Sequence, residues 1–540
     1  MISTLATLTP PAAESGTLTD IENAINDVFG PFADWLASWV FYAIPLPGGL
    51  ELPIVVLWLV AAGVIISTYF GFIQFRGFKI ATEVVRGKFS HPDDPGEITH
   101  FQALSSALSG TVGLGNIAGV GAAMALGGPG ACFWMIVCGL LGMATKFAEC
   151  TLGVKYRTIH EDGTVSGGPF KYLPIAFGKL GRIPALILTG IFAIAIFGFG
   201  VGGGNMFQAN QTFVQAKDVT GGDDGPLGSD GAALIFGIVL ALLVGAVILG
   251  GIKSIARVTS KLVPVMGITY VIACLFVILF NVGHIPAALG DIVSGAFSPE
   301  AGLGGLVGVL IVGFQRGAFS NEAGLGSAPI AHSPVKTRRP VSEGFVALLE
   351  PFIDTVVICT MTALTIIIAD APSYREGIET VKSGGDAPDG VTLTSDAFET
   401  FLPWFPTLLA IAVLLFAFST LVTWSYYGQK AWEFFFGRST PSVAIYKLIF
   451  CTFTVIGTVL TFAQVLSMTD SFLFICGFVN LLGIYMLLPV IKKEMTEYLA
   501  DRKSGRLYEL GADDEAHLAQ IREEQGNTGE LPRMKSTDND

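Results

Sequence analysis

Apolar runs of bilayer length recur along the whole chain, at 52–75, 101–145, 183–216, 231–252, 262–290, 400–429, 448–469 and 471–491. Two more, at 301–332 and 343–369, are as apolar but interrupted by single charges. A hydrocarbon core about 30 Å thick takes roughly 20 residues of helix, and a helix satisfies its own backbone groups where water is absent. The run 101–145 is long enough for two passes, with GGPG at 127–130 as the turn. The pattern predicts an all-α polytopic membrane protein with eleven transmembrane helices.

Composition agrees. Of 540 residues, 51% are hydrophobic and only 14% charged, against about 25% charged in a soluble domain. Lys plus Arg number 31 against 44 acids, a net charge of -13 with no basic stripe, which argues against nucleic-acid binding. Cys132, Cys138, Cys150, Cys274, Cys359, Cys451 and Cys476 all fall within apolar runs, so no exposed disulfide framework is expected.

Lys and Arg also orient the chain, because they stay on the cytoplasmic side. With the N-terminus outside, 26 of the 31 fall on the inner face, in 76–100, 155–182, 253–261, 336–339, 430–447 and after Ile491. Only Lys217, Arg375 and Lys382 fall outside, while Lys146 and Arg316 lie within spans. The outer segments 217–230 and 370–399 are acidic, as expected of solvated loops. Residues 1–50 carry no secretory signal pattern. They predict an extracytoplasmic segment whose amphipathic stretch 18–46 either lies on the membrane surface or docks on the bundle. Residues 51–100 hold the first span and a cytoplasmic loop, 101–495 a ten-helix core, and 496–540 a polar tail expected to be disordered.

Two spans are written differently. The second contains GTVGLGNIAG, with Gly110, Gly113, Gly115 and Gly119, and the seventh contains GAFSNEAGLGSAP, with Gly317, Gly324 and Gly326. Each glycine weakens a helix interior by about 1 kcal/mol, so these helices should stop and restart, unless the glycines serve close packing. Unwound backbone at mid-membrane depth persists only where it lines a cavity. The breaks stand five spans apart, and five is odd, so the second set runs inverted. That spacing points to an inverted-repeat secondary transporter with its site at the breaks. Half-helix N-termini suit a carboxylate, and exposed carbonyls an ammonium or a sodium ion.

The segments GTVGLGNIAGVGAAMALGGPGACFWM, GMATKFAE, GGIKSI, RGAFSNEAGLGSAPIA, FIDTVV and FSTLVTWSYYGQK resemble, in this order, the alanine or glycine:cation symporters, over roughly residues 50–495. The resemblance implies a LeuT-type fold of five plus five inverted helices, spans 2–6 and 7–11, with one extra N-terminal span. It implies sodium-driven uptake of a small neutral amino acid, alanine or glycine, across a bacterial plasma membrane. Carried over residue by residue, it places the carboxylate at Gly113, Leu114, Gly115 and Asn116. Gln208, Phe319, Ser320 and Trp424 become substrate contacts, with bundle glue or plain core packing as the alternatives. The co-transported sodium falls to Thr111 and second-span carbonyls, with Ser419 and Thr420 of the ninth span; oxygen ligands suit a hard cation. The family commonly has threonine where this chain has Leu114, so that hydroxyl contact is missing.

Charges inside spans mark functional candidates. Arg316, Glu322 and Asp354 occupy adjacent spans and suggest a pair acting as gate or clamp, with Asp354 alternatively a cation ligand. Lys146 and Glu149, three apart near a helix end, suggest a surface pair. A polytopic enzyme is disfavoured, since the histidines are scattered and no HExxH, nucleophile elbow or P-loop appears. A channel is disfavoured because paired broken helices do not make an open pore. Proton coupling through Asp354 or Glu322 is the nearest rival to sodium.

Overall fold

The computed structural model describes residues 17–46, 50–91, 93–161, 163–229, 231–298 and 305–507. The part of the expected tail from 508 onward lies outside them. Helices dominate, in the order α1 (Thr17–Val40), α2 (Ile54–Tyr69), α3 (His100–Thr111), α4 (Ala118–Gly127), α5 (Gly130–Lys155), α6 (Arg182–Val219), α7 (Ala232–Ile248) and α8 (Gly251–Phe280). Then follow α9 (Gly305–Asn321), α10 (Ala328–His332), α11 (Pro340–Ala369), α12 (Pro372–Lys382), α13 (Gly390–Glu399), α14 (Phe405–Phe436), α15 (Thr440–Val459) and α16 (Phe462–Lys503). Two small antiparallel hairpins, Ala43–Leu46 with Leu50–Pro53 and Thr158–Ile159 with Val165–Ser166, complete the described elements.

Among the described residues seven helices are long and apolar enough to cross a membrane. An eighth span is the pair α3 and Leu114–Gly127, bent by 56°. The helices α2 and α7 are apolar but shorter, and α9 stops at the seventh-span break. The turn between α4 and α5 falls at Gly128 and Pro129, as the GGPG run predicts.

Four boundaries differ from the sequence reading. The tenth and eleventh spans divide at Leu460 and Thr461, so Asp470 lies within α16 instead of between two spans. No glycine, proline or charge marks that junction, and the lone charge at 470 drew the boundary toward itself. Helix α16 also runs on to Lys503, beyond the expected start of the tail at 496. The helix α8 begins at Gly251, so the basic stretch 253–261 is helical rather than a loop. The acidic segment 370–399 is only partly a solvated loop. Its helix α13 buries Val391, Leu393, Ala397 and Phe398, and Thr394 Oγ1 donates to the Ile117 carbonyl at 3.0 Å.

The amphipathic helix α1 docks on the bundle. Ala33 is buried, the Phe29 ring meets Phe453 at 6.1 Å, and beyond the helix Phe41 meets Phe474 at 5.4 Å. Trp35 and Trp39 stay exposed on its other face, an apolar surface fit for lipid. The seven cysteines are free.

Candidate functional site

Both expected breaks are present, and they face each other. The first helix stops at Thr111, passes through Val112 and Gly113, makes one tight turn over Leu114–Asn116 and restarts at Ala118. Asn116 holds that turn by accepting the Gly113 N–H on Oδ1 at 2.9 Å. The second break starts where Glu322 takes a left-handed backbone (φ 55°), a conformation unusual for a residue with a Cβ. Gly324 (φ 88°) and Gly326 (φ 81°) continue the unwound stretch, and α10 follows with only five residues.

The freed backbone is claimed by side chains, as burial requires. The Leu114 N–H donates to Gln208 Oε1 at 3.2 Å, and Gln208 Nε2 donates to the Gly203 carbonyl at 2.9 Å. Gln208 therefore bridges the first break to a widened turn of α6, Gly202–Met206, where the helix takes i→i+5 hydrogen bonds. A Cβ at Gly113 would stand 2.5 Å from Thr420 Oγ1 and 3.3 Å from Gln208 Oε1, so glycine there is what lets α14 and α6 close on the break. Phe319 covers the turn from the second break, its ring 4.9 Å from Phe207 and 6.2 Å from Phe199. Trp424 packs on Phe199 at 4.8 Å and donates from Nε1 toward the Gly110 carbonyl (3.3 Å) and Glu322 Oε1 (3.2 Å). Gly113, Leu114, Asn116, Gln208, Phe319, Ser320 and Trp424 thus form one buried cluster, and Gly115 lies under the Phe319 ring.

The three residues assigned to sodium divide. Thr420 faces the break and donates to the Ser109 carbonyl at 3.0 Å. Thr111 and Ser419 bond back along their own helices, to Ala107 at 3.4 Å and Phe416 at 2.9 Å, a habit of hydroxyls in helices.

Arg316, Glu322 and Asp354 do not pair with one another, because each finds a nearer partner. Arg316 pairs with Asp470 of α16, and its guanidinium stands 5.5 Å over the Phe319 ring. Arg316 Nε and Nη1 and Asp470 Oδ1 find no partner among the described residues. A cavity of about 270 Å³, lined by Phe41, Gln315, Phe462, Leu466 and Asp470 among others, reaches this pair. Glu322 accepts from Ser327 Oγ at 2.6 Å as well as from Trp424. Asp354 lies in a second widened stretch, Phe352–Cys359, and accepts from Asn116 Nδ2 (2.6 Å), Ser320 Oγ (2.8 Å) and Thr355 Oγ1 (2.7 Å). One carboxylate therefore ties the two breaks together, through Asn116 on one and Ser320 on the other.

Lys146 and Glu149 are not a surface pair either. Both are fully buried, Lys146 binds Glu350 at 3.0 Å, and Glu149 accepts the Gly324 N–H (3.4 Å), the Gly326 N–H (3.0 Å) and Asn480 Nδ2 (3.0 Å). Their helix end is covered by α10 and α11, which periodicity within one helix does not reveal. Asp470 is a site-bordering residue that the sequence analysis does not name, and its signal is an isolated charge in an apolar run.

A family model described as the sodium:alanine symporter family matches residues 45–511. The chain belongs to the sodium:alanine symporter family. It is 37% identical over 455 residues to the sodium/alanine symporter AgcS of Methanococcus maripaludis, covering 84% of this chain and 95% of that protein. The amino-acid carrier protein AlsT of Bacillus subtilis is 32% identical, over 90% of this chain and 94% of AlsT. The probable sodium/glutamine symporter GlnT of the same organism is 31% identical, over 84% and 89%. Among solved structures, MhsT in complex with L-phenylalanine matches 75% of this chain and 99% of its own, with a TM-score of 0.51 at 14% identity. That likeness establishes the LeuT-type fold. A member of this family is a multi-pass membrane transporter and not an enzyme.

Proposed function

We propose that the protein carries a small neutral amino acid, alanine or glycine, inward with sodium by alternating access, the proton reading being the one the experiment below sets against it. The observation that carries this is the meeting of two broken helices around the Leu114 N–H, a donor now held only by a neutral glutamine amide. A carboxylate accepts such a hydrogen bond more strongly than an amide does. In this reading the substrate carboxylate replaces Gln208 Oε1 at the first break, over Gly113, Leu114, Gly115 and Asn116. The Gln208 amide then turns to the ligand, while Phe319, Ser320 and Trp424 close the pocket around a side chain of methyl size.

Sodium takes Thr420 Oγ1 with carbonyls at the end of α3, and Ser419 and Thr111 join by rotating off their own helices. No formal charge is needed in that shell, because neutral oxygens suffice for a monovalent hard ion. Arg316 with Asp470 acts as the outer gate over Phe319. Glu322 and Asp354 hold the breaks, which makes them coupling residues. All eleven spans cross, with α2 as the extra first span and α3 to α16 as the five-plus-five core, the N-terminus outside and the C-terminus cytoplasmic. The deciding experiment is uptake of radiolabelled alanine and glycine into proteoliposomes with and without an inward sodium gradient. Uptake that requires the gradient supports the reading; uptake that follows pH and ignores sodium rejects it in favour of protons.

A further inference from the structure

Below the second break, a string of buried ionisable groups links four helices. His100 Nδ1 of α3 meets Glu343 Oε2 of α11; His332 Nδ1 of α10 meets Glu343 Oε1 at 2.5 Å; His332 Nε2 meets Glu350 Oε1; and Lys146 Nζ of α5 meets Glu350 Oε2 at 3.0 Å. All five side chains are buried. These helices open the two halves of the inverted repeat, α3 and α5 in one and α10 and α11 in the other.

The donors can be counted. Each of the four contacts sets a nitrogen against a carboxylate oxygen, so each needs a proton between them. The Lys146 ammonium supplies one and a neutral His100 supplies one. A neutral imidazole has a single N–H and presents a lone pair at its other nitrogen, so His332 serves one of its two carboxylates and not the other. The string is one proton short in its ordinary neutral-histidine form. It closes when an extra proton sits on the His332 ring or on the facing Glu343 or Glu350 oxygen.

We infer that this string is a proton-binding site, separate from the substrate and sodium positions, and that its proton pins the half-helix α10 to α11. Loss of the proton leaves a nitrogen lone pair against a carboxylate in a buried setting, which parts the two. Other charged or titratable groups face the site. They are Cys150 and Glu149 of α5, Tyr427 of α14, Arg157 just beyond α5, and two carboxylates toward the Lys146 end, Glu322, which accepts from Ser327 and Trp424, and Asp354, which accepts from Asn116 and Ser320. Arg157 is engaged by the carbonyls of Ser333, Val335, Pro95 and Thr337. Glu149 is occupied by the broken loop. None of these supplies the missing N–H to His332.

The site lies at the basic end of the bundle, so, resting on the orientation and transport reading above, the proton exchanges with the cytoplasm. An acidic cytoplasm keeps α10 pinned and slows inward release.

Glu343→Gln tests this, because an amide at that position donates one N–H to His332 Nδ1 and accepts from His100, closing the string without the extra proton. The folded wild type holds a proton that the unfolded histidine gives up above about pH 6.5, so its stability must fall as pH rises beyond that point. The melting temperature of the purified wild-type protein should therefore drop with rising pH more steeply than that of Glu343→Gln. In vesicles, wild-type uptake should quicken as inside pH is raised at fixed outside pH and sodium, while the variant stays flat. Should Glu343→Gln fail to fold, Glu350→Gln offers the same donor from the other side of the ring. Parallel melting curves for wild type and variant overturn the proton site. The melting comparison needs no transport, so a wild type that carries no amino acid would overturn the transport reading while the proton count is still decided.

Discussion

Thr420 is the residue on which the sodium assignment turns. Its hydroxyl is pressed against the first break, whereas Ser419 and Thr111 are satisfied within their own helices. Removing one oxygen from a small cation shell costs on the order of 0.5–1.5 kcal/mol if the lost ligand behaves like an ordinary net hydrogen bond. Thr420→Ala should therefore raise the sodium concentration for half-maximal uptake several-fold, and Ser419→Ala should raise it less. Equal sodium curves for Thr420→Ala and wild type would remove Thr420 from the shell. Gln208 makes a second test at the same scale. Gln208→Leu keeps the volume but leaves the Leu114 N–H and the Gly203 carbonyl without their partner. Substrate affinity measured by isothermal titration should be lost, with folding impaired by about 1–3 kcal/mol for the orphaned backbone groups. At Leu114, an apolar side chain stands in the tight turn of the first break. A competition series of glycine, alanine, serine and larger neutral amino acids against wild type and Leu114→Thr should change its rank order if that side chain faces the ligand.

At the level of helices, what could be read in the sequence was whatever a single helix writes into its own residues. The glycine clusters at 110–119 and 317–326 disfavour continuous helix by themselves, and both breaks lie where that penalty accumulates. What was hidden depends on neighbours distant in sequence. Lys146 reads as a surface residue in α5 and becomes a buried one only because α11 supplies Glu350 from 204 positions away. Asp470 reads as a boundary and is instead the counter-ion of Arg316 across 154 positions. A buried pair is costly to break and cheap to replace, since removing one partner strands the other charge at about 3–5 kcal/mol, whereas an apolar pair of like volume is often neutral. Asp470→Ala should accordingly destabilise the protein strongly in thermal denaturation, and Arg316→Met with Asp470→Leu should recover most of the loss. If the pair is the outer gate, the double variant will bind substrate while failing to hold a gradient of it. Equal gradients in wild type and double variant would make the pair a static clamp.

For the whole molecule, the distribution of Lys and Arg carries the proposed orientation, because it is a property of all the spans at once and no single helix decides it. In the proposed orientation, which rests on the charge count of 26 against 3, α12 and α13 lie outside and the end of α16 inside. The fold adds a constraint that charge alone lacks. The helix α13 is wedged over the first break, its Thr394 hydroxyl on the Ile117 carbonyl, so in the proposed transport reading the acidic face is also the face by which substrate enters. The buried string from His100 to Lys146 and the loop that Glu149 holds then lie toward the opposite face, below the breaks. Suitable labelling positions are exposed ones, which excludes Arg338, engaged with Asp94. Asp223 and Asp386 are exposed on the acidic side, and Lys493 is exposed near the other end of α16. With Cys451, the one native cysteine that is not buried, replaced by serine and the six buried ones left in place, single cysteines at 223 and 386 should react with a membrane-impermeant maleimide in intact cells, and one at 493 only after the membrane is opened. Labelling at 493 from outside in sealed cells would invert the molecule. It would put the acidic segments on the inside and give the proton site an external face.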